Sequence, residues 1–289
     1  MRLGGSVTGI YKGADAFIAA AKECKFRSVT FPLTYKDKVA EVDRLMKVLA
    51  EADIKPAEVG AWGNNPLNPD KKKKKESIDN IVKQLELAEY IGAPCCVNVA
   101  GSHSDQWDGP SPDFFTETVF SEIVQTVQEI IDRVNPVKTT YTLETMPYMI
   151  PYSVDSYSAL VKAVNRQAFS VHLDIINLIN NPEKYYSSGD LTRDFFNKLG
   201  KKISCIHVKD IILAHKLTVH LDECQVGTGG YDLTCLLQNA AKLSADIPLL
   251  AEHLGTQEEY KKSIDYLDIL ARNLGLDCMN PGPNTERSH

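Results

Sequence analysis

The sequence predicts an α/β fold, a single (β/α)8 TIM barrel, on three observations. Short apolar runs rich in β-branched residues alternate with longer segments whose apolar residues fall at i, i+3, i+4 and i+7. The pair recurs eight times in fewer than 300 residues, which suits a closed barrel. The first strand-to-helix turn reads VTGIYKGAD, not the GxGxxG that an open nucleotide-binding sheet needs. The chain has 289 residues, 43% of them hydrophobic, enough for one large core without disulfides. No linker or break in composition divides it, so one domain is expected over residues 1–276. Residues 277–289 are read as a tail, with ERSH as an expression scar.

In chain order the expected strands are GGSVTG (4–9), SVTFPL (28–33), AEVGAW (57–62), CCVNVAG (95–101), TYTLETM (140–146), SVHLDI (170–175), SCIHVKD (204–210) and PLLAEHL (248–254). Segments such as ADAFIAAAKECK, DKVAEVDRLMKVLAEA, ESIDNIVKQLELAEYI and TVFSEIVQTVQEIIDRV supply the helices between them. The lysine run at 71–75 precedes a helical pattern and reads as a solvated helix start.

Composition excludes several classes of function. The formal net charge is −6, and apart from that run the basic residues are interleaved with acidic ones, so nucleic acid is not an expected partner. Seven cysteines (24, 95, 96, 205, 224, 235, 278) form no CxxC pair, which suggests mostly buried thiols in a reducing cytoplasm. No apolar run reaches the roughly 18 to 20 residues of a membrane span, and the N-terminus reads as a strand. A cytoplasmic, untargeted protein with no membrane contact is expected. GxSxG, HExxH and the local catalytic-cysteine signatures are absent.

Polar residues placed late in the last four strands point to chemistry. Glu144, Asp174, His207 and Glu252 each fall near the end of a successive strand. A charge inside a parallel strand is costly unless it is paired or bound to a cation. Three carboxylates and one imidazole suit Mn²⁺, with Mg²⁺, Co²⁺ or Zn²⁺ as alternatives. The competing explanation is separate neutralisation of each carboxylate by a lysine or arginine at the barrel rim. By parity His172 shares a face with Asp174 and reads as an inner hydrogen-bond partner, while Lys209, sharing a face with His207, reads as a substrate contact. His253 has the opposite parity from Glu252 and reads as a packed residue or as one supporting the site from behind; His215 and His220 fall in the loop after strand seven, read as surface-exposed with a ligand or proton-transfer role as the alternative. Trp62, His103 and Trp107 lie on loops over the barrel mouth, where rings can cover a ligand, with Tyr148 and Tyr152 nearby. The glycine-rich CQVGTGGYD (224–232) has neither GK[ST] nor GxGxxG and reads as a tight turn or a close backbone approach.

GAWGNNPLNPD, LETMP, VHLDIINLINNPEKYY, IHVKD, LTVHLDECQVGTGGYD and AEHL, in this order, resemble the xylose-isomerase-like (β/α)8 superfamily of sugar phosphate isomerases and epimerases across essentially the whole chain. The resemblance implies that Glu144, Asp174, His207 and Glu252 bind one divalent metal, often Mn²⁺. It also implies that Glu144 and Glu252, with His207, form the catalytic set, moving a proton on and off a carbon beside a carbonyl. One departure bears on substrate. The ketose epimerases usually place a histidine three residues after the strand-six aspartate, where it touches the sugar, and this chain has Asn177. HLDxxNL, TVHLDE and EHL look closer to the branch containing C-glycoside deglycosidase large subunits. Those release an aromatic aglycone from 3-oxo-C-glycosides, usually together with a small β-rich partner subunit.

The expected activity is therefore enolisation of a keto-sugar, with C-glycoside cleavage as the first reading and a sugar isomerase or ketose 3-epimerase as its alternative. An oligomer is expected. Endonuclease action at abasic DNA is a further reading, opposed by the acidic charge balance and by too few histidines at the strand ends. A non-catalytic sugar-binding subunit is the last.

Overall fold

A computed structural model describes residues 1–9, 11–104 and 106–277; Cys278 and the remaining tail lie outside the described residues. Eight parallel strands close a barrel: β1 (Arg2–Gly5), β2 (Ser28–Thr30), β3 (Lys55–Gly60), β4 (Cys95–Asn98), β5 (Thr140–Glu144), β6 (Phe169–Asp174), β7 (Ile203–Val208) and β10 (Pro248–Ala251). Between β7 and β10 runs an antiparallel hairpin, β8 (Asp210–Leu213) with β9 (Leu221–Cys224). The helices are α1 (Gly13–Glu23), α2 (Val39–Glu51), α3 (Lys71–Ile91), α4 (Glu117–Val134), α5 (Val154–Val164), α6 (Pro182–Tyr186), α7 (Ser188–Leu199), α8 (Leu233–Ala240) and α9 (Gln257–Asn273). None is long and apolar enough to cross a membrane.

Three expectations shift. The first strand lies earlier than residues 4–9, because Arg2–Gly5 pair one to one with Pro248–Ala251, while Ser6 and Thr8 turn their hydroxyls to Thr30 and Gln257. Val7 and Thr8 carry the β-branched signal but lie beyond the strand. The seventh strand ends at Val208, and Asp210 opens a hairpin where a loop is expected. His215 and His220 sit exposed at the tip of that hairpin. The lysine run begins α3 as expected, with Asp70 accepting from the N–H groups of Lys72 and Lys73. That cap offsets the unfavourable placing of cations at a helix N-terminus.

Packing fixes the strand register that positions the polar residues. Tyr157 of α5 is fully buried; its hydroxyl donates to the Leu143 carbonyl (2.5 Å) and accepts from the His172 N–H (3.1 Å), tying β5 to β6. One turn higher, the Thr145 hydroxyl donates to the Asp174 carbonyl (2.5 Å) and accepts the Asp174 N–H (2.9 Å). In that register Glu144 stands beside His172, and Asp174 beside His207. Six free cysteines are described, and all but the half-buried Cys224 are buried.

Candidate metal centre

Two polar storeys are stacked inside the barrel. In the upper one, ligand atoms of Glu144, Asp174, His207 and Glu252 all lie within 4.8 Å of one another, so the four strand ends converge as the sequence predicts. His207 Nδ1 is 2.8 Å from Glu144 Oε1 and 3.0 Å from Glu252 Oε2. Lys209 Nζ is 2.9 Å from Asp174 Oδ2, 3.0 Å from Glu252 Oε2 and 3.2 Å from Glu223 Oε1. Glu223, on β9, also meets His253 Nδ1 at 2.7 Å.

The lower storey centres on Glu58 of β3, which the sequence reading passed over. Its carboxylate meets His172 Nε2 (2.7 Å) and His207 Nε2 (3.2 Å), and accepts from Cys205 Sγ (3.5 Å) and the Thr30 hydroxyl (3.3 Å). Burial opposes ionisation of Glu58, but His207 and His172 outweigh it and hold its carboxyl far below the usual range. His172 is thus the inner partner that parity suggests. Glu58 was detectable, as a carboxylate in the middle of an apolar run, on the same logic that selects Asp174.

Glu58 also decides which nitrogen of His207 faces upward. With Nε2–H directed at Glu58, the Nδ1 lone pair looks at two carboxylates, so three acceptors converge where only a proton or a cation can sit. Burial lowers the His207 pKa, yet Glu252, Glu58 and Glu144 raise it well above its ordinary value. His207 Nδ1 is thus the ring atom that faces the carboxylates and would be offered to a metal.

The donor set fits a divalent ion. Asp174 Oδ2 and Glu252 Oε2 are buried and lack a hydrogen bond of proper geometry, even though Lys209 Nζ lies at 2.9 and 3.0 Å. The short distances are ion pairing; the angles leave those lone pairs undirected at the ammonium. Lys209 meets three carboxylates (Asp174, Glu223 and Glu252) while Glu144 pairs with His207, so neutralisation by lysine accounts for only part of the charge. Burial and then Glu252 push the Glu144 carboxyl up. Burial pushes Glu252 up as well, but His207, Lys209 and His253 bring it well below the ordinary range.

Above the cluster lies a cavity of about 440 Å³, lined by Trp62, Trp107, Tyr148, Asn177, Glu252 and His253 among others. Asn177 donates from Nδ2 to the Thr145 carbonyl (3.0 Å), so its amide also braces the end of β5. Lys209 and His103, expected as substrate contacts, do not line this cavity. Lys209 is buried among the carboxylates as their counter-ion. His103 has both ring nitrogens occupied, by Asp113 (2.6 Å) and Glu122 (3.0 Å), and so fastens the loop carrying Trp107 onto α4. His253, expected to be packed or to support the site from behind, does the second: it meets Glu223 (2.7 Å) and Glu252 (3.6 Å) while half exposed at the mouth, with a left-handed backbone (φ 56°) that turns the chain after β10. Tyr152 packs edge-on against Phe115, away from the cavity lining.

The glycine-rich loop wraps a carboxylate. Asp210 accepts from the N–H groups of Gly227 (3.0 Å), Gly229 (2.9 Å), Tyr231 (3.1 Å) and Ile211 (2.9 Å). A Cβ on Gly229 would stand 2.3 Å from Asp210 Oδ1, so close backbone approach is what the glycine provides.

A family model described as xylose isomerase-like TIM barrel matches residues 18–270. Among solved structures, a xylose isomerase domain protein from Planctomyces limnophilus aligns with a TM-score of 0.68 at 17% identity, covering 95% of this chain and 99% of that one. A xylose isomerase-like TIM barrel protein from Mycobacterium smegmatis, in complex with magnesium, aligns at 0.67 and 15% identity over 90% and 89%. A 3-keto-D-glucoside 4-epimerase from E. coli aligns at 0.68 and 13% identity over 93% and 99%. A search of curated proteins returned no match.

Proposed function

The chain belongs to the xylose isomerase-like TIM barrel family, and from that premise we propose that it is a divalent-metal-dependent enzyme that enolises a keto-sugar and returns the proton, as an epimerase or isomerase. The observation that carries this reading is the convergence of Glu144, Asp174, His207 and Glu252 beneath a cavity of about 440 Å³. Similarity to a 3-keto-glucoside epimerase and to a magnesium-bound relative supports it. C-glycoside cleavage, the first reading from the sequence, has less support than its alternative.

Glu144, Asp174, His207 and Glu252 would hold the ion, with Mn²⁺ or Mg²⁺ favoured by the oxygen-rich set. When bound, the ion supplies Lewis-acid polarisation of the substrate carbonyl. Glu144 and Glu252 stand on either side of His207 Nδ1, so one carboxylate accepts the proton from the carbon beside the carbonyl and the other, protonated, delivers one. Lys209 keeps Asp174 and Glu252 ionised and in place. Trp62, Trp107 and Tyr148 cover the sugar and limit water at the reacting carbon.

The test is metal analysis of the purified protein, then incubation with a panel of ketoses and 3-oxo-glycosides in D2O. Deuterium entering the carbon beside the ketone, with metal dependence, is the expected result; no exchange with any keto-sugar in the metal-loaded protein overturns the reading. The aromatic rim favours the lyase as a second reading. Release of an aglycone and copurification of a small β-rich partner would establish that outcome.

A further inference from the structure

A second cavity, of about 450 Å³, shares one wall with the first: the Trp62 indole lines both. We propose that this second cavity is a subsite for another sugar ring, so that the substrate is a keto-disaccharide or similar glycoside and not a free ketose. The inference rests on the keto-sugar reading above and adds the class of group attached to the ring that reacts.

The lining is built for a neutral, hydroxyl-rich ligand. Its polar side chains come from Thr34, Tyr35, Lys36, Asn64, Asn80 and Gln84, with no acidic residue in the lining. They are held by one another. Tyr35 OH donates to Asn80 Oδ1 (2.6 Å), Asn80 Nδ2 to Asn64 Oδ1 (3.2 Å), and Asn64 Nδ2 to the Ala61 carbonyl (2.8 Å). The buried Gln84 accepts from the Tyr35 N–H (2.8 Å) and donates to the Gly60 carbonyl (2.8 Å). Asn80 and Gln84 each give one amide hydrogen to this lattice, and each amide has two. The second hydrogen of each is available to a ligand hydroxyl without disturbing the wall.

Trp62 is fixed at the junction by a close approach. A Cβ on Gly60 would lie 2.3 Å from the indole Nε1, so only glycine at the end of β3 lets the ring lie against the strand. The indole N–H has no hydrogen-bond acceptor among the described residues. An aromatic face with a free N–H, flanked by amides, is a surface on which a sugar ring stacks while its hydroxyls are hydrogen-bonded. An aromatic aglycone would leave the amides desolvated and unmatched, which disfavours it in this cavity.

Two measurements test the proposal. The chain has two tryptophans, so Trp107→Phe leaves Trp62 as the sole indole fluorophore. Titration of that protein, without metal, with maltose should give a saturable change in emission that Asn80→Ala weakens; no saturable change overturns the subsite. In the metal-loaded enzyme, deuterium exchange is compared for a 3-oxo-hexose and a 3-oxo-disaccharide. Asn80→Ala and Tyr35→Phe should each raise the ratio of the disaccharide KM to the hexose KM about fivefold, the effect of one hydrogen bond. An unchanged ratio, in variants that melt like the parent, overturns the inference while leaving the enolisation reading intact. Absence of exchange with both substrates would instead defeat that reading, and the fluorescence titration would still decide the subsite.

Discussion

The two storeys of the barrel hold similar side chains in opposite states. Below, one carboxylate, Glu58, is surrounded by His172, His207, Cys205 and Thr30, and its negative charge is fully matched by donors. Above, Glu144, Asp174, Glu223 and Glu252 face Lys209, His207 and His253, and two buried oxygens lack directed hydrogen bonds. Buried charge alone does not mark a site; carboxylate in excess of donors does. Glu58 below is matched and orients its imidazoles, although His172 Nδ1 beside it has no partner; the carboxylate-rich storey above is the one offered to a cation.

The largest break in that comparison should come from Glu144→Gln, which would remove the proposed proton carrier and ligand from the upper storey. Deuterium exchange into the keto-sugar should fall about a thousandfold, with the melting curve little changed. Glu58→Ala should do the reverse, costing about 3 to 5 kcal/mol in urea unfolding because it leaves buried imidazoles without their counter-charge. Metal affinity, read by equilibrium dialysis, should weaken about tenfold or more in that variant as His207 loses the partner that orients it. Equal stability losses for Glu144→Gln and Glu58→Ala would erase the distinction between the storeys.

Smaller effects sharpen it. Tyr157→Phe strips the hydroxyl joining β5 to β6 and strands the buried Leu143 carbonyl and His172 N–H, costing about 1 to 3 kcal/mol by denaturant titration. The smallest is at His103, outside both storeys. Burial lowers its pKa, but Asp113 and Glu122 outweigh this and raise it. The ion pairs are therefore fully present below the unfolded value near about 6.5 and are lost as pH rises through the higher folded value. Proteolysis of the loop carrying Trp107 should quicken over that rise, and high salt should blunt the dependence because the ion pairs are only partly buried. In His103→Gln the dependence should vanish.

The barrel and the upper storey were legible because both rest on local pattern: strand and helix periodicity for the first, and an ionisable residue late in each of four strands for the second. Glu58 escaped because its partners are 114 and 149 residues away, on β6 and β7, and only closure of the sheet brings them together. For His103 and Lys209, expected as substrate contacts, the sequence could not show that neighbouring carboxylates already occupy them. The hairpin was hidden by its polar strands: Leu221–Cys224 reads LDEC, with two exposed acidic residues, and carries little β signal.

The clasp of four N–H groups around Asp210 makes the hairpin a detachable module. Its feet are fastened where Asp210 pairs with Cys224 and where the glycine loop closes on the carboxylate, so length and sequence between Ala214 and His220 can vary without moving Lys209 or His207. Evolution and engineering thus share a place to insert chain beside the mouth of this barrel, close enough to alter what enters and insulated from the groups that react.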